Sequence, residues 1–237
     1  MTFSIIARDE ATGRIGVAVA SKFFAVGARN IFIRTGVGAV ASQALFNPYY
    51  GPRGLALLAA GASAAEAVRL LTTGDEGRHL RQVHMMDRHG QFAAHTGSEC
   101  PAWCGHLCKQ AFSVAGNILT GTDVLEAMAA SYEAGAEMPF ARRLIAAMQA
   151  GEAAGGDSRG RQSAALMVHD EEDYSLLDLR ADDHPDPLAE IARLEEIARQ
   201  SWVHFRRVLP RAGNASGVLD GVELRARISA SIAEGYE

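Results

Sequence analysis

The fold is decided by the first 22 residues of the chain, MTFSIIARDEATGRIGVAVASK (residues 1–22). Residues 3–8 are mostly apolar, residues 9–13 contain Asp, Thr and Gly, and residues 15–20 consist of Ile, Gly, Val and Ala. This pattern predicts two antiparallel strands joined by a turn. Because Thr2 begins the first strand, we expect a sheet to hold this part of the chain and prevent it from fraying.

Thr2 has the chemistry of an N-terminal nucleophile. An initiator methionine before a small residue is usually removed, so we expect the mature chain to begin at Thr2. Its α-amine, with a pKa of about 8, would then serve as the base for its own hydroxyl. Lys22 follows the second strand, where a cation would keep this amine neutral and lower the pKa of the hydroxyl.

Eight motifs follow one another along the chain: TFSIIARD (2–9), GVAVASKF (16–23), GVGAVASQ (36–43), NPYYGPRG (47–54), AAHTG (93–97), GNILTG (116–121), GGDSRGRQSAAL (155–166) and DDHPDP (182–187). Together they resemble the bacterial domain-of-unknown-function family numbered 1028, from Thr2 to about residue 195. That family is similar to the N-terminal nucleophile (Ntn) hydrolases. The resemblance implies an α+β fold, a four-layer αββα sandwich with two stacked antiparallel sheets flanked by helices, and hydrolysis of amide bonds.

The composition is that of an ordinary folded protein. The 237 residues are 48% hydrophobic and 22% charged, and their net charge is −5. This charge provides no electrostatic attraction to nucleic acid or to an anionic membrane. No apolar run approaches the about 18 residues that cross a bilayer, and no secretory leader is visible, so we expect a cytoplasmic protein.

The three cysteines allow a metal-site hypothesis but do not favour it. Cys100, Cys104 and Cys108 are spaced i, i+4 and i+8, which on a helix would place three thiols on one face, with His106 between them. Zinc sites usually have two-residue gaps between paired cysteines, and no second Cys/His pair follows. We therefore expect reduced, inert thiols, no metal and no cofactor.

Periodicity predicts the element order ββββ-αα-ββ-β-αα-ββ-α. The first four strands, expected to form one sheet, are 3–8, 15–20, 31–34 and 37–43. The later strands are 82–87, 91–95, 114–117, 162–169 and 174–179, and the helices are 53–60, 63–73, 122–134, 136–150 and 188–207. Ser63 and Glu66 form a predicted capping box, and Asp186 is a predicted N-cap with Pro187 at the first helical position.

These elements are assigned to one domain, residues 1–208. Residues 209–237 contain Pro, Gly and Asn followed by a short helical pattern, and we interpret them as a C-terminal tail or short helical appendage. This tail is a candidate subunit contact, and we expect a homo-oligomer, most simply a dimer.

Polar residues elsewhere in the motifs are candidate substrate contacts. Ser42 and Gln43 end a run of small residues whose backbone N–H groups could face an oxyanion, although close sheet packing explains small residues equally well. Tyr49 and Arg53 lie in a turn-rich loop that is either the rim of a pocket or a solvated surface. His95 is a candidate contact or a structural histidine.

Two further candidates lie in the second half of the chain. Asn117 offers a side-chain amide that could donate to an oxyanion without adding charge. The glycine-rich loop 151–160 and the residues after it bring together a carboxylate, two guanidiniums, an amide and a hydroxyl, those of Asp157, Arg159, Arg161, Gln162 and Ser163. Asp157 could anchor the α-amine while an arginine binds a substrate carboxylate, or the loop could hold an internal Asp–Arg network.

The leading hypothesis is an amidohydrolase that cleaves a small amide, with Thr2 as nucleophile and Lys22, Asn117 and Asp157 as further catalytic groups. The alternative is a non-catalytic protein on the same fold, which either binds a small polar ligand in the cleft or serves assembly. The partner expected in both cases is a small molecule, or a second copy of the chain. Neither nucleic acid nor a membrane is expected.

Overall fold

The computed structural model describes residues 2–235 and shows a four-layer αββα sandwich, as expected. The strands are β1 Thr2–Arg8, β2 Ile15–Ser21, β3 Ile31–Arg34, β4 Gly38–Ala44, β5 Arg81–Asp87, β6 Phe92–Thr96, β7 Trp103–Cys108, β8 Phe112–Leu119, β9 Ser163–His169 and β10 Leu177–Ala181. The helices are α1 Gly27–Asn30, α2 Tyr50–Ala59, α3 Ala64–Thr73, α4 Asp123–Ala134, α5 Phe140–Ala153, α6 Pro187–Gln200, α7 Trp202–Arg206 and α8 Gly221–Glu234, with a 3-10 turn at Glu76–Leu80.

The first sheet has the strand order β10-β9-β2-β1-β8-β7. Strand β1 is therefore interior, with β2 on one side and β8 on the other, both antiparallel. Its first residue, Thr2, pairs with Ser21 of β2 and with Asn117 of β8. Because side chains alternate along a strand, Thr2, Ser4 and Ile6 point to the same face, and Phe3 and Ile5 point to the opposite one.

The second sheet has the order β3-β4-β5-β6, so the expectation of one sheet for the first four strands was wrong. The opening hairpin belongs to the first sheet, and β3 and β4 belong to the second. Helix α1 makes the crossing between the sheets. At Gly27 a side chain would clash, since an added Cβ would lie 2.2 Å from Ala165 Cβ of β9.

Apolar side chains fill three layers of core. Helices α4, α5 and α6 cover the outer face of the first sheet, where Phe3, Ile5 and Met148 are buried. Helices α2 and α3 cover the second sheet over Val40 and Met85. Between the sheets lie Ile6, Ile15, Val17, Val19, Val26, Ile31, Ala39, Ala41, Met86 and Ala165.

Several local predictions are confirmed and others are corrected. Ser63 and Glu66 form the capping box, and Asp186 caps α6 with Pro187 at its start. The final strand begins at Leu177, three residues later than expected, and the predicted helix 188–207 is interrupted at Ser201. Strand β7 was not predicted at all.

Strand β7 contains Cys104 and Cys108, so the i, i+4 spacing of the cysteines does not reflect a helix. Burial raises the pKa of both Cys100 and Cys104, which disfavours the reactive thiolate. Within residues 2–235, no group of three or more His, Cys, Asp and Glu side chains is arranged to hold a metal ion. None of the helices described in that range combines the length and apolar character needed to span a bilayer.

The inter-sheet layer becomes polar towards Thr2. Ser4, Gln43, His84 and Ser113 are all fully buried there. Ser4 Oγ donates to Gln43 Oε1 at 2.7 Å, which uses its single hydrogen, so His84 Nε2, 2.8 Å away, must be the donor to Ser4. His84 Nδ1 then accepts from Ser113 Oγ at 2.7 Å. The four side chains form one hydrogen-bonded chain with a single direction.

This chain requires a neutral imidazole, because a protonated His84 could not accept from Ser113. Burial, with a smaller contribution from His106, lowers the pKa of His84 to about 3. Once the chain unfolds, His84 recovers an ordinary pKa of about 6.5. Between these two values the unfolded state binds one more proton than the folded state at this position.

We therefore expect His84 to destabilise the fold as the pH falls. The stabilisation of the fold by neutral His84 is fully present above about pH 6.5 and is lost as the pH falls towards 3. In this range the unfolding free energy decreases by about 1.4 kcal/mol per pH unit. His84→Gln keeps a donor and an acceptor but cannot titrate, so this slope should be absent. Urea unfolding of both proteins from pH 7.5 to pH 4 measures the difference, and parallel curves would contradict the assignment.

Gly38 tests the packing of the second sheet. Its φ is +148°, and an added Cβ would lie 2.1 Å from the carbonyl oxygen of Met86. Gly38→Ala should lower the unfolding free energy by about 2–5 kcal/mol because it adds overpacking to backbone strain.

Gly13 provides the control, with φ +73° and no atom within 4 Å of the added Cβ. Gly13→Ala should cost only about 1–2 kcal/mol from backbone strain. Denaturant unfolding compares the two variants. Equal losses would show that the contact at Met86 is not limiting.

Candidate active site

Thr2 lies at the polar end of the inter-sheet layer and is almost completely buried, with 6% of its surface exposed. Its Oγ1 is 3.1 Å from Ser21 Oγ, as the strand pairing dictates. Its carbonyl oxygen accepts from the side-chain amides of Gln43 and Asn117, both at 3.4 Å. The backbone and the hydroxyl of Thr2 are thus both held in place.

Gln82 connects the groups that hold Thr2. Its Oε1 accepts from Gln43 Nε2 at 2.8 Å and from Asn117 Nδ2 at 3.0 Å. Its Nε2 donates to the carbonyls of Gly105 and Gly116, both at 2.9 Å. Sequence reasoning missed Gln82, because a glutamine at the start of a strand carries no motif that separates it from a surface residue.

A cavity of about 430 Å³ opens beside Thr2. The described residues that line it are mainly apolar, with four polar and two charged side chains; they are Thr2, Ser21, Phe23, Asn30, Ala44, Leu45, Phe46, Leu80, Glu99, Pro101, Asn117, Ile118 and Arg159. A volume of this size suits a small molecule. Of the residues proposed from the sequence, the structure brings Thr2, Asn117 and Arg159 to this cavity.

Unusual backbone conformations mark the same cavity. In the described chain, four non-glycine residues have a positive φ: Ala25, Ala44, Ala102 and Ile118. Ala44 and Ile118 line the cavity, and Ala102 follows the lining residue Pro101. A β-branched residue such as Ile118, at φ +54°, is a true outlier. Backbone strain of this kind tends to cluster where a binding or catalytic geometry must be enforced.

The glycine-rich loop ends next to the cavity through Asp157. The buried carboxylate of Asp157 accepts from the backbone N–H groups of Lys22 and Arg159, each at 2.8 Å. Arg159 Nε lies 3.4 Å from the same carboxylate. The internal Asp–Arg network weighed above is therefore present. It fixes the end of β2 beside Thr2 and places Arg159 in the cavity wall.

Lys22 does not take the position expected from the sequence. Its Nζ donates to the carbonyl of Arg161 at 3.0 Å, and its side chain is exposed. Strand alternation explains the difference. Ser21 is the partner of Thr2, so the next residue points to the other side.

The residues that follow the loop also point elsewhere. Arg161 forms ion pairs with Glu152 at 2.6 Å and Asp186 at 3.1 Å. Gln162 Nε2 donates to Asp183 at 3.2 Å. The hydroxyl of Ser163 accepts from Val26 N at 3.1 Å and donates to the carbonyl of Phe23. These three side chains stabilise the loops around the site and do not line the cavity.

Tyr49 and Arg53 line a different cavity, of about 750 Å³, between α2 and α3. Helix α2 begins at Tyr50 and carries both residues to the outer helical layer, where the Arg53 guanidinium lies 4.6 Å from the centre of the Tyr49 ring. The expectation that they contact the substrate of Thr2 is thus not met.

Ser42 and His95 have structural contacts. The Ser42 carbonyl accepts from Asn30 Nδ2 at 2.7 Å, so it orients a residue of the cavity wall that the sequence did not single out. His95 Nε2 lies 2.9 Å from the carbonyl of Arg78, outside the lining of the Thr2 cavity. The side-chain amide of Gln43 contacts Thr2 by donating to the Thr2 carbonyl oxygen.

Asn117 does not offer the hydrogen-bond donor that the sequence suggested. Its Nδ2 group already donates to Gln82 and to the Thr2 carbonyl. Its Oδ1 is buried without a hydrogen-bond partner in the described chain, and the same holds for Asn30 Oδ1. Within residues 2–235, two lining residues therefore each have a buried acceptor without a donor, where the sequence suggested a donor for an oxyanion.

Comparisons with known proteins identify the family. A search of the curated proteins found no match. Among solved structures, protein SPO2555 from Silicibacter pomeroyi, described as a DUF1028 protein, is 34% identical with a TM-score of 0.86, covering 92% of this chain and 96% of that one.

Two further structures are similar at lower scores. BPH from Thiobacillus denitrificans, in complex with epoxomicin, is 14% identical with a TM-score of 0.40, over 72% of this chain and 98% of that one. Anbu, an ancestral beta-subunit from Yersinia bercovieri, is 11% identical with a TM-score of 0.39, over 83% and 94%.

The sequence also matches a family model from residue 2 to residue 191, which is most of its length. That span begins at Thr2 and includes every described residue that lines the candidate site. The chain belongs to the family of unknown function DUF1028.

Proposed function

We propose that this protein is an Ntn-type amidohydrolase that cleaves an amide bond of a small substrate, with Thr2 as the nucleophile. The observation that carries the proposal is the position of Thr2. Its hydroxyl faces Ser21 in the wall of a small-molecule cavity, at the end of an interior strand, and its carbonyl is held by two amides. Such fixation is what an attacking group requires.

The reaction follows from the chemistry of a free N-terminal threonine. Removal of Met1 exposes the α-amine, which takes the proton of Oγ1 as the oxygen attacks the amide carbonyl carbon. The C–N bond of the tetrahedral intermediate breaks, and the ammonium returns the proton to the leaving amine. Water, deprotonated by the same amine, then hydrolyses the acyl ester and releases a carboxylic acid.

Ser21 and the two asparagines support this chemistry. The Ser21 hydroxyl, 3.1 Å from Thr2 Oγ1, restricts the rotation of the nucleophile. The side-chain oxygens of Asn30 and Asn117, which have no partner among the described residues, are suited to N–H donors, and a free α-amine has more N–H groups than the amide nitrogen it replaces. Both residues share the cavity wall with Thr2.

A second function remains consistent with one observation. Among the described residues, the hydrogen-bond partner of Thr2 Oγ1 is a serine hydroxyl, which is not a base at neutral pH. If Met1 stays attached, the site lacks its base, and the same cavity serves to bind a small molecule.

The decisive variant is Thr2→Ala, tested on untagged protein whose intact mass shows the loss of Met1. In a mass-spectrometric screen of small amides, it should lower turnover by about 10³-fold or more, because it removes the nucleophile. Thr2→Ser keeps a hydroxyl and should retain measurable turnover. Unfolding curves of all three proteins should coincide within about 1 kcal/mol if the fold is intact.

Two results would overturn the proposal. One is complete retention of Met1 in protein purified without a tag. The other is unchanged amide turnover in Thr2→Ala. A mass increase on the peptide that begins with Thr2, trapped during turnover, would identify the acyl ester directly.

A further inference from the structure

The Thr2 cavity has an apolar wall that is open to ligands. The rings of Phe23 and Phe46 lie 6.2 Å apart, edge to face, and Leu45 adds a third large apolar side chain. Phe23 is 44% exposed and Leu45 is 59% exposed. Exposed apolar groups collected around a cavity indicate a surface that an apolar ligand group covers.

One cationic side chain, that of Arg159, also lines the cavity. Among the described lining residues, Arg159 is the only basic side chain. A guanidinium binds a carboxylate through two parallel N–H···O bonds, and this geometry distinguishes it from a lysine. The glycine-rich loop holds the Arg159 backbone in place through Asp157, so the cation is positioned before a ligand arrives.

Asp157 contacts the Arg159 guanidinium at long distances. Its contacts with Nε and Nη2 of Arg159 are both 3.4 Å, longer than the 2.7–2.9 Å that is usual for a charge-assisted hydrogen bond. The Asp157 carboxylate is instead stabilised by two backbone N–H groups at 2.8 Å. A ligand carboxylate that binds Arg159 therefore leaves the Asp157 carboxylate stabilised by these two backbone groups.

Glu99 makes the charge of the cavity lining asymmetric. It is the acidic residue among the described lining side chains, and its backbone N–H donates to the carbonyl of His79, next to the second sheet. Arg159 is held by the first sheet, through Asp157 and Lys22. A carboxylate is repelled by the Glu99 wall and attracted by the Arg159 wall.

We infer, on the basis of the proposed function, that the Thr2 cavity selects small amides that carry both an apolar group and a free carboxylate. The apolar group lies against Phe23, Phe46 and Leu45, and the carboxylate is bound by the guanidinium of Arg159. N-acylated apolar amino acids are the simplest compounds with this combination.

Binding to the Thr2→Ala variant tests the specificity without requiring turnover. The probes are N-acetyl-L-leucine, N-acetyl-L-phenylalanine and the two matching neutral amides, in which –CONH₂ replaces the carboxylate, all at millimolar concentrations. Ligand-observed NMR titrations give the dissociation constants. We expect the dissociation constant of each acid to be lower than that of its amide by about 10-fold or more, as for one charge-assisted bidentate contact.

Two further variants, made in the Thr2→Ala background, test whether Arg159 causes this preference for acids. Arg159→Gln should weaken binding of the acids by about 10- to 100-fold and leave the amides unchanged. Arg53→Gln changes the net charge equally but lies in the other cavity, and it should preserve the preference for acids.

Three results would overturn the inference: equal affinity for acids and amides, a preference that survives Arg159→Gln, or no saturable binding of either acid. Failure of the proposed function is distinguishable from these. Tight, Arg159-dependent binding of the acids without turnover by protein lacking Met1 would reject the hydrolase and keep the specificity. Turnover of neutral amides in preference to acids would reject the specificity and keep the hydrolase.

Discussion

The side-chain amide of Gln82 joins the two sheets beside Thr2, and the arrangement of the site depends on it. Gln82 belongs to the second sheet, yet it donates to Gly105 and Gly116 and accepts from Asn117, all in the first sheet. The Gln82 side chain is fully buried, so loss of one of these bonds would leave a polar group that water hydrates poorly. One end of the sandwich is therefore held by directional bonds. The other end, around Ile6, Val17 and Met86, is held by apolar packing, which tolerates small displacements.

This division explains why the site lies where it does. Hydrogen bonds fix both distance and direction, whereas apolar contacts fix mainly distance. The chain from Ser113 through His84 and Ser4 to Gln43 extends the directional network along the interface and ends at the amide that contacts the Thr2 carbonyl. The proposed nucleophile, Thr2, therefore lies in the part of the interface where hydrogen bonds fix both distance and direction.

The sequence predicts the opening hairpin and a helix start well, because both depend on local patterns. Two mostly apolar runs separated by a turn mark β1 and β2, and the Ser63–Glu66 capping box fixes a helix start. The positions of Lys22, Tyr49 and Arg53 could not be obtained in this way. Strand alternation turns Lys22 away from Thr2, and α2 carries Tyr49 and Arg53 to an outer layer. Gln82 and Asn30 carry no sequence signal, since their importance comes from partners that are distant along the chain.

The left-handed backbone at Ala44 and Ile118 has a consequence for how this sequence can change. Each such residue costs about 1–3 kcal/mol, an appreciable part of the about 5–15 kcal/mol that keeps a typical domain folded. Glycine would relieve the strain at either position, yet it would also allow the cavity wall to sample other shapes. Adaptation to heat and retention of a rigid binding site would therefore place opposite demands on the same two residues. Gains in thermal tolerance would more readily arise in the outer helices, away from these strands.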